Sequence, residues 1–417
     1  MTKGLHVPSE IGALKKVCLH RPGEELLNLP PFELERLLFD DVPFLEVAQE
    51  EHDTFAQILR DQGVEVLYLE KLVAEVFDTV PEAREEFLDQ YIAEAGIKGQ
   101  EMPKVVREKL NSITDNLEFV QKTMAGLTKA EIDMPLHAST TLDSLVNTDS
   151  ESDLIIDPMP NLYFTRDPFA VVGNGVCLNR MYSVTRNRET LYGKYIFKYH
   201  PDYKDVSLYF RRDAAFHTEG GDVLNINEHT LAVGISQRTR EDSIDALAET
   251  VLSHSKTFRK ILAFNIPKTR SFMHLDTVFT MVDCDKFTVH PNILSSITVF
   301  VMELDENRKM TIRQEDGRLE DILKEHLGLD HVTLIPCGQG SEIDAAREQW
   351  SDGSNTLAIA PGEVVVYSRN YVTNRSLEEA GVRIHTIPSA ELSRGRGGPR
   401  CMSMPLWRDD PVCGKQN

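Results

Sequence analysis

Residues 221–235 read GDVLNINEHTLAVGI, two runs rich in branched aliphatic residues on either side of a polar turn. Such a pair of runs predicts a β-hairpin. The same pattern occurs in residues 162–178 (LYFTRDPFAVVGNGVCL), 276–289 (DTVFTMVDCDKFTV) and 356–367 (TLAIAPGEVVVY). Hairpins spread along the chain in this way indicate a repeated structural unit.

A second element follows several of these hairpins. A helical stretch ends at a turn, and a short apolar strand begins directly after it. Gly63, Gly328 and Gly381 occupy such turns, where glycine favours the left-handed conformation that ends a helix. With the N-terminal strand near residues 14–20 and a helix at about 44–60, the chain contains about five units of hairpin, helix and strand. Such units either pack radially around an axis or belong to an ordinary mixed α/β sheet.

One region lacks this pattern. Between residues 73 and 146 no convincing strand is visible, and apolar residues such as Phe87, Tyr91 and Ala95 recur at helical spacing. We therefore expect an inserted helical domain at 73–148 and a catalytic α/β domain built from residues 1–72 and 149–417. Residues 140–153 are polar and are predicted to form a linker.

Composition excludes several classes of protein. The 417 residues carry a formal net charge of −21, which disfavours nucleic-acid binding. We find neither a signal-peptide pattern nor an apolar run of membrane-spanning length, so we expect a cytoplasmic protein without a membrane partner. The six cysteines lie far apart; neither a disulfide framework nor a zinc site is predicted, and reduced thiols are expected. The C-terminal tail, residues 411–417, is expected to be disordered.

Polar residues cluster beside the predicted hairpin ends, where loops on a rigid scaffold often carry function. Asp167, Glu219, His274, Asp276 and Cys401 stand at such positions. If the units surround one axis, these side chains converge. A thiol and an imidazole then form a nucleophile and an acid–base partner.

The three carboxylates of this cluster would repel one another and raise the pKa of the thiol. A guanidinium ligand resolves both problems, because it is planar, always charged and matched to carboxylates. Each residue also has a structural explanation: a cysteine or histidine can be a core residue, and the acids can cap turns. The His274-x-Asp276 pair suggests a metal ligand, but no second His or Cys cluster supports it, so no metal is expected.

Taken together, the motifs of the chain resemble those of bacterial arginine deiminases, in the guanidino-group-modifying superfamily. The resemblance extends from end to end. The matching segments are SEIG (9–12), LHRPG (19–23), LLFDD (37–41), DPMPNLYFTRD (157–167), RNRET (186–190), EGGD (219–222), GISQRT (234–239), FMHLDT (272–277), QWSDGSN (349–355) and RGRGGPRCM (394–402).

The resemblance implies a five-bladed α/β propeller of ββαβ units with an inserted α-helical domain. It implies that Cys401 is the nucleophile and His274 the acid–base group. Three carboxylates would bind the guanidinium: Glu219, Asp167 and Asp276. Four further residues would bind the α-amino and α-carboxylate groups: Asn161, Arg186, Arg238 and Arg396.

The reaction implied is hydrolysis of free L-arginine to L-citrulline and ammonia through an amidino-cysteine intermediate. No metal or organic cofactor is implied. The protein is expected to form homo-oligomers. Two alternatives remain open at this point. One is an amidinotransferase or another guanidino-modifying enzyme. The other is a non-catalytic arginine-binding protein.

Overall fold

The computed structural model describes residues 3–97, 101–132, 153–294 and 296–413. They form a mixed α/β fold. None of the described helices is long and apolar enough to cross a membrane.

The described residues contain nineteen short strands, numbered in chain order. They are β1 (Leu14–Leu19), β2 (Glu65–Tyr68), β3 (Leu127–Thr128), β4 (Leu154–Ile156), β5 (Phe169–Val172), β6 (Gly175–Leu178), β7 (Ser207–Phe210), β8 (Val223–Asn227), β9 (Thr230–Ile235), β10 (Lys260–Asn265), β11 (Phe279–Met281), β12 (Lys286–Val289), β13 (Thr298–Leu304), β14 (Met310–Glu315), β15 (Thr333–Pro336), β16 (Leu357–Ala360), β17 (Glu363–Tyr367), β18 (Arg383–Ile387) and β19 (Met404–Arg408).

Five sheets among the described residues contain the same three-strand unit, in which an antiparallel pair is followed by a strand parallel to its second member. The units are β5-β6-β7, β8-β9-β10, β11-β12-β15, β16-β17-β18 and β19-β1-β2. The four predicted hairpins are therefore confirmed. Strands β13 and β14 come from the chain between β12 and β15 but extend the sheet of β8, β9 and β10.

Helices connect the second and third strands of these units. The first is α1 (Leu45–Asp61), which joins β1 to β2. The other helices in this position of the described chain are Val184–Asn187, Thr190–Tyr199, Glu241–His254, Leu319–Leu327 and Tyr371–Glu379. Helix Glu342–Trp350 lies instead between β15 and β16 and connects two units. Gly63, Gly328 and Gly381 have positive φ at the helix–strand junctions, as their sequence positions predicted.

The region predicted to be helical contains α2 (Leu69–Thr79), α3 (Pro81–Glu94), α4 (Met102–Asn111) and α5 (Asn116–Ala125). Phe77, Phe87 and Phe119 pack their rings together within it, and Tyr195 joins them from the adjoining helix. The first of these helices begins at Leu69, before the predicted boundary. A short strand, β3, pairs with β4, so the expectation of a strandless region was wrong. Residues 133–148 and most of the predicted linker lie outside the described residues.

The expectation that all thiols are reduced was also wrong. Cys284, in the turn between β11 and β12, forms a disulfide with Cys413. Because 129 residues separate the two cysteines, their proximity depends on the tertiary fold and cannot be read from local spacing. The same bond ties down part of the tail that was expected to be disordered; residues 414–417 lie outside the described residues.

Candidate active site

The predicted site residues share one position in the repeated unit: each lies a few residues before the first strand. Asp167 precedes β5, Glu219 precedes β8, His274 and Asp276 precede β11, and Cys401 precedes β19. All five side chains are buried. Because strands in different sheets begin in the same neighbourhood, residues far apart in sequence meet there.

Cys401 is only 4% exposed, and two residues hold it. The side chain of Asn355 accepts a hydrogen bond from the Cys401 amide (3.0 Å) and donates one to Sγ (3.1 Å). The thiol itself donates to Oδ2 of Asp276 at 3.5 Å. This geometry fixes the sulfur in direction and in distance.

Burial raises the pKa of the Cys401 thiol well above its usual value, and the carboxylates of Asp276, Asp167 and Asp352 add to the effect. The Arg400 guanidinium opposes them but does not compensate. The sulfur is therefore a protonated thiol at neutral pH without a ligand. A positive charge beside it would favour the thiolate.

His274 is the opposite case. Burial by itself would lower its pKa. The negative charges of Asp167 and Asp222 oppose this effect, and Nε2 donates a hydrogen bond to Glu219 (2.8 Å). Together these interactions raise the pKa of His274 to about 9. Its Nδ1 lies 3.9 Å from Oδ1 of Asp167. At neutral pH the ring is therefore an imidazolium, which can donate a proton.

The glycines after Glu219 allow this close packing. A Cβ atom at Gly221 would lie 2.6 Å from Cγ of His274, and one at Gly220 would lie 1.9 Å from the carbonyl oxygen of Arg166. Side chains at either position would displace the histidine or the adjoining loop. The Glu-Gly-Gly motif is thus a packing requirement of the site as well as a turn.

Glu219 remains ionised although it is fully buried. Burial would raise its pKa, but Arg238, His274 and Arg186 lower it well below the usual range. The backbone N–H of Tyr182 donates a further hydrogen bond to Oε1 at 2.9 Å. The carboxylate can therefore orient His274 and stabilise its charged form.

Asp167 and Asp276 each bind one arginine, and each keeps one oxygen without a hydrogen bond. Arg186 donates to Oδ2 of Asp167 (3.1 Å), and Arg400 donates to Oδ2 of Asp276 (2.7 Å). Oδ1 of each aspartate is buried and has no hydrogen-bond partner in the described structure. An unpaired buried acceptor is costly, so these two atoms point to a ligand that brings N–H donors.

The residues predicted to bind the amino-acid end line a small cavity with Asp167, His274 and Cys401. They are Asn161, Arg186, Arg238 and Arg396. Glu219 and Asp276 lie just behind this lining, in contact with His274 and Cys401. The space open to the centre of a water-sized molecule is only about 20 Å³, so this conformation is nearly closed and must open to admit a ligand of amino-acid size.

The arginines of the cavity have alternative partners here. Arg186 and Arg238 pair with Asp167 and Glu219. Arg396 stacks 3.6 Å above the Trp350 ring, with buried Nε and Nη1 atoms that have no hydrogen-bond partner in the described structure. Donors of this kind are available to a carboxylate that enters the cavity.

A metal ion is the other ligand that this cluster suggests, since ligand atoms of Asp167, Glu219 and His274 lie within 4.8 Å of one another. Two buried arginines, Arg186 and Arg238, already bring positive charge against the same carboxylates. A metal cation would be repelled by them. The planar donors of a guanidinium suit the two unpaired oxygens better.

Two residues at the nucleophile were not assigned from the sequence. Asn355 precedes β16 and so occupies, in the fourth hairpin, the position that Asp167 and Cys401 occupy in theirs; this equivalence is the signal that identifies it. Arg400 was quoted only as the neighbour of Cys401. It is buried between Glu10 and Asp276 and donates to both.

Two solved structures share the fold of this chain. An amidinotransferase from Microseira wollei of the saxitoxin biosynthetic pathway aligns with 98% of this chain and 99% of its own, at a TM-score of 0.55 and 14% identity. DDAH from Pseudomonas aeruginosa, complexed with citrulline, covers 94% and 99% at a TM-score of 0.51 and 12% identity. The chain therefore shares the fold of these two proteins.

Sequence similarity identifies the family to which the chain belongs. The profile of the family described as arginine deiminase matches residues 35–408. Arginine deiminase of Streptococcus gordonii is 58% identical over 98% of this chain and 99% of the relative, and that of Clostridium perfringens is 54% identical over the same shares. The chain belongs to the arginine deiminase family, which confirms the resemblance of its motifs.

Proposed function

We propose that this protein hydrolyses free L-arginine to L-citrulline and ammonia through an amidino intermediate on Cys401, the first step of arginine catabolism by the arginine deiminase pathway. The observation that carries the proposal is the pair of buried, unpaired oxygens on Asp167 and Asp276 beside a protonated thiol. Relatives named arginine deiminase, 54–58% identical along nearly the whole chain, support the same reaction.

Binding comes first. The guanidinium of arginine donates to Oδ1 of Asp167 and of Asp276, and each such charge-assisted hydrogen bond contributes about 1.5–3 kcal/mol. Its positive charge lies beside Sγ of Cys401 and stabilises the thiolate. The substrate thereby activates the nucleophile that attacks it.

In the first half-reaction, the Cys401 thiol releases its proton to solvent water as the guanidinium binds. The thiolate then forms a bond to the guanidinium carbon, giving a tetrahedral centre. His274, already an imidazolium, gives its proton to one terminal nitrogen. The carbon–nitrogen bond breaks, ammonia leaves, and an amidino-cysteine remains. Glu219 keeps the imidazole oriented throughout.

In the second half-reaction, the neutral His274 takes a proton from a water molecule, whose oxygen attacks the same carbon. The tetrahedral centre collapses and the carbon–sulfur bond breaks. The hydroxyl proton passes to the departing sulfur, which restores the Cys401 thiol, and the ureido group of citrulline forms. Arginine and water are thus converted to citrulline and ammonia, and water is the only co-substrate. The proposal requires no metal or organic cofactor.

The other end of the cavity selects a free amino acid. Arg186, Arg238 and Arg396 offer paired donors to an α-carboxylate, and Asn161 offers a side-chain amide to the α-amino group. Arg186 and Arg238 must first loosen their bonds to Asp167 and Glu219. A peptide-bound arginine has no free α-carboxylate, so the proposal excludes it as a good substrate.

The same proposal covers the architecture and the setting of the enzyme. The five sheets surround one axis as the blades of an α/β propeller, and the helices of residues 73–148 form an inserted domain beside the catalytic residues 1–72 and 149–417. The enzyme acts in the cytoplasm as a homo-oligomer. The common position of the site residues, before the first strand of each unit, supports the radial arrangement.

Mass spectrometry of protein quenched during turnover tests the chemistry. We expect an amidino-sized adduct on the Cys401 peptide and stoichiometric citrulline and ammonia. Cys401→Ala should fold and lose both, whereas Cys177→Ala, which alters a buried cysteine in β6 outside the cavity, should retain both. Transfer of the group to an added amine without citrulline would support an amidinotransferase instead. If neither citrulline nor a transfer product forms, whether or not an amine is added, the proposal is contradicted.

A further inference from the structure

A second cavity of about 480 Å³ lies away from the active site, between α3, helix Thr190–Tyr199 and strands β6 and β7. It shares no lining residue with the active-site cavity. Its size is adequate for a small organic molecule, whereas the active-site cavity is closed in the same structure.

The charge of this second cavity is opposite to that of the whole chain, whose formal charge is −21. One carboxylate, Asp213, faces five basic side chains: Lys194, Lys198, Lys204, Arg211 and Arg212. Two further acids, Glu86 and Glu94, pair with Lys198 and Arg212. Three carboxylates therefore face five cations, and the local excess of positive charge attracts an anion.

Two of these lysines carry the excess. Lys194 donates to the neutral amide oxygen of Gln90 at 2.5 Å and forms no ion pair in the described structure. Burial and the neighbouring Arg212 lower its pKa, as expected for an ammonium group in a positive environment. Lys204 is exposed and likewise forms no ion pair among the described residues.

The lining also contains apolar side chains. Val176, Leu178 and Phe197 are buried, and Leu208 is 40% exposed. An inorganic anion would satisfy the lysines but leave these apolar groups without a partner. A ligand with an anionic group and an apolar body would cover both.

We propose that this cavity is a binding site for an amphipathic organic anion, with the anionic group between Lys194 and Lys204 and the apolar body against Phe197 and Leu208. None of the residues that line this cavity belongs to the proposed machinery for arginine hydrolysis. Gln90 and Lys194 place it where the helical insertion meets the sheet of β5, β6 and β7.

Isothermal titration of the full chain with naphthyl phosphate tests this, in saturating citrulline so that the active site is occupied. We expect one saturable site. Lys194→Gln and Lys204→Gln should each weaken binding about tenfold, as loss of a charge-assisted hydrogen bond implies. Lys309→Gln, an exposed lysine in the turn between β13 and β14, is the matched control and should leave the affinity unchanged.

A second pair of variants separates charge from packing. Leu208→Glu should bind naphthyl phosphate more weakly than Leu208→Gln, because only the former adds a negative charge at the mouth. Inorganic phosphate and neutral naphthol should both bind more weakly than naphthyl phosphate. Any of three results would overturn the proposal. Wild type and both lysine variants could bind naphthyl phosphate with equal affinity, wild type could bind inorganic phosphate as tightly as naphthyl phosphate, or binding could fail to saturate.

Discussion

Replacing Asp276 by asparagine should make Cys401 more reactive in the free enzyme while reducing turnover. Oδ2 of Asp276 lies 3.5 Å from Sγ, and Coulomb's law at that distance, with an effective dielectric constant of about 20, gives about 5 kcal/mol against the thiolate. Removing the charge should therefore raise the thiolate fraction at neutral pH by up to roughly three thousandfold. Asparagine keeps the shape and can still accept from Arg400.

Alkylation by iodoacetamide, followed at the Cys401 peptide by mass spectrometry, measures this directly. At pH 7 the wild type should be labelled slowly, and Asp276→Asn should be labelled faster by about two to three orders of magnitude. Asp330→Asn is the matched control and should behave as wild type, because Asp330 is exposed and forms no ion pair with the described residues. Equal rates for Asp276→Asn and wild type, or fast labelling of both, would refute the idea that these carboxylates hold the thiol protonated.

Three further predictions follow from the buried groups. The kcat/KM for arginine should fall above pH 9, since the pKa of His274 is about 9 and the ring must carry the proton given to ammonia; a rate that stays level to pH 10.5 or so would remove that role. Asn355→Ala should lower kcat about tenfold to a hundredfold with little change in KM, measured as citrulline formation, because its amide positions the sulfur of Cys401 rather than arginine; a change confined to KM would contradict this. His20 is buried between two glutamates, and although burial opposes it, their charges raise its pKa to about 10. The charged His20 therefore stabilises the fold fully below pH 6.5 or so, and less as the pH rises towards 10. His20→Gln should lower the free energy of unfolding by about 3 kcal/mol near pH 6.5 and by much less at pH 10, measured by denaturant unfolding. A loss that is independent of pH would be inconsistent with this.

Much of the fold could be predicted because its signals are local. Alternating apolar residues around short turns identified the four hairpins, and glycines at helix ends identified the junctions with the following strands. The unit that contains β1 could not be completed from local patterns. Its antiparallel pair joins β1 to β19, from opposite ends of the chain, and no local pattern connects strands that far apart.

The site shows the same division. The cysteine, histidine and carboxylates proposed for catalysis were predicted from motifs. Asn355 was not assigned, since an asparagine in a turn has many structural explanations. Only the repeat, once its strands are located, puts Asn355 in the position equivalent to Asp167. The disulfide between Cys284 and Cys413 was missed for a related reason, because chain spacing carries no information on a contact between a turn and a tail.

The sequence alone thus determined which chemical groups are present, which local elements carry them and to which family the chain belongs. It left undetermined which of those groups lack a partner. Whether an oxygen of Asp167 or Asp276 is paired, and how strongly burial opposes ionisation of Cys401, depends on the tertiary structure, since desolvation and Coulomb energies follow from distances between residues remote in sequence. The motifs identify the cysteine and predict that neighbouring carboxylates oppose its ionisation. The distances and the burial that underlie its proposed dependence on a cationic substrate follow only from the folded arrangement of charges around it.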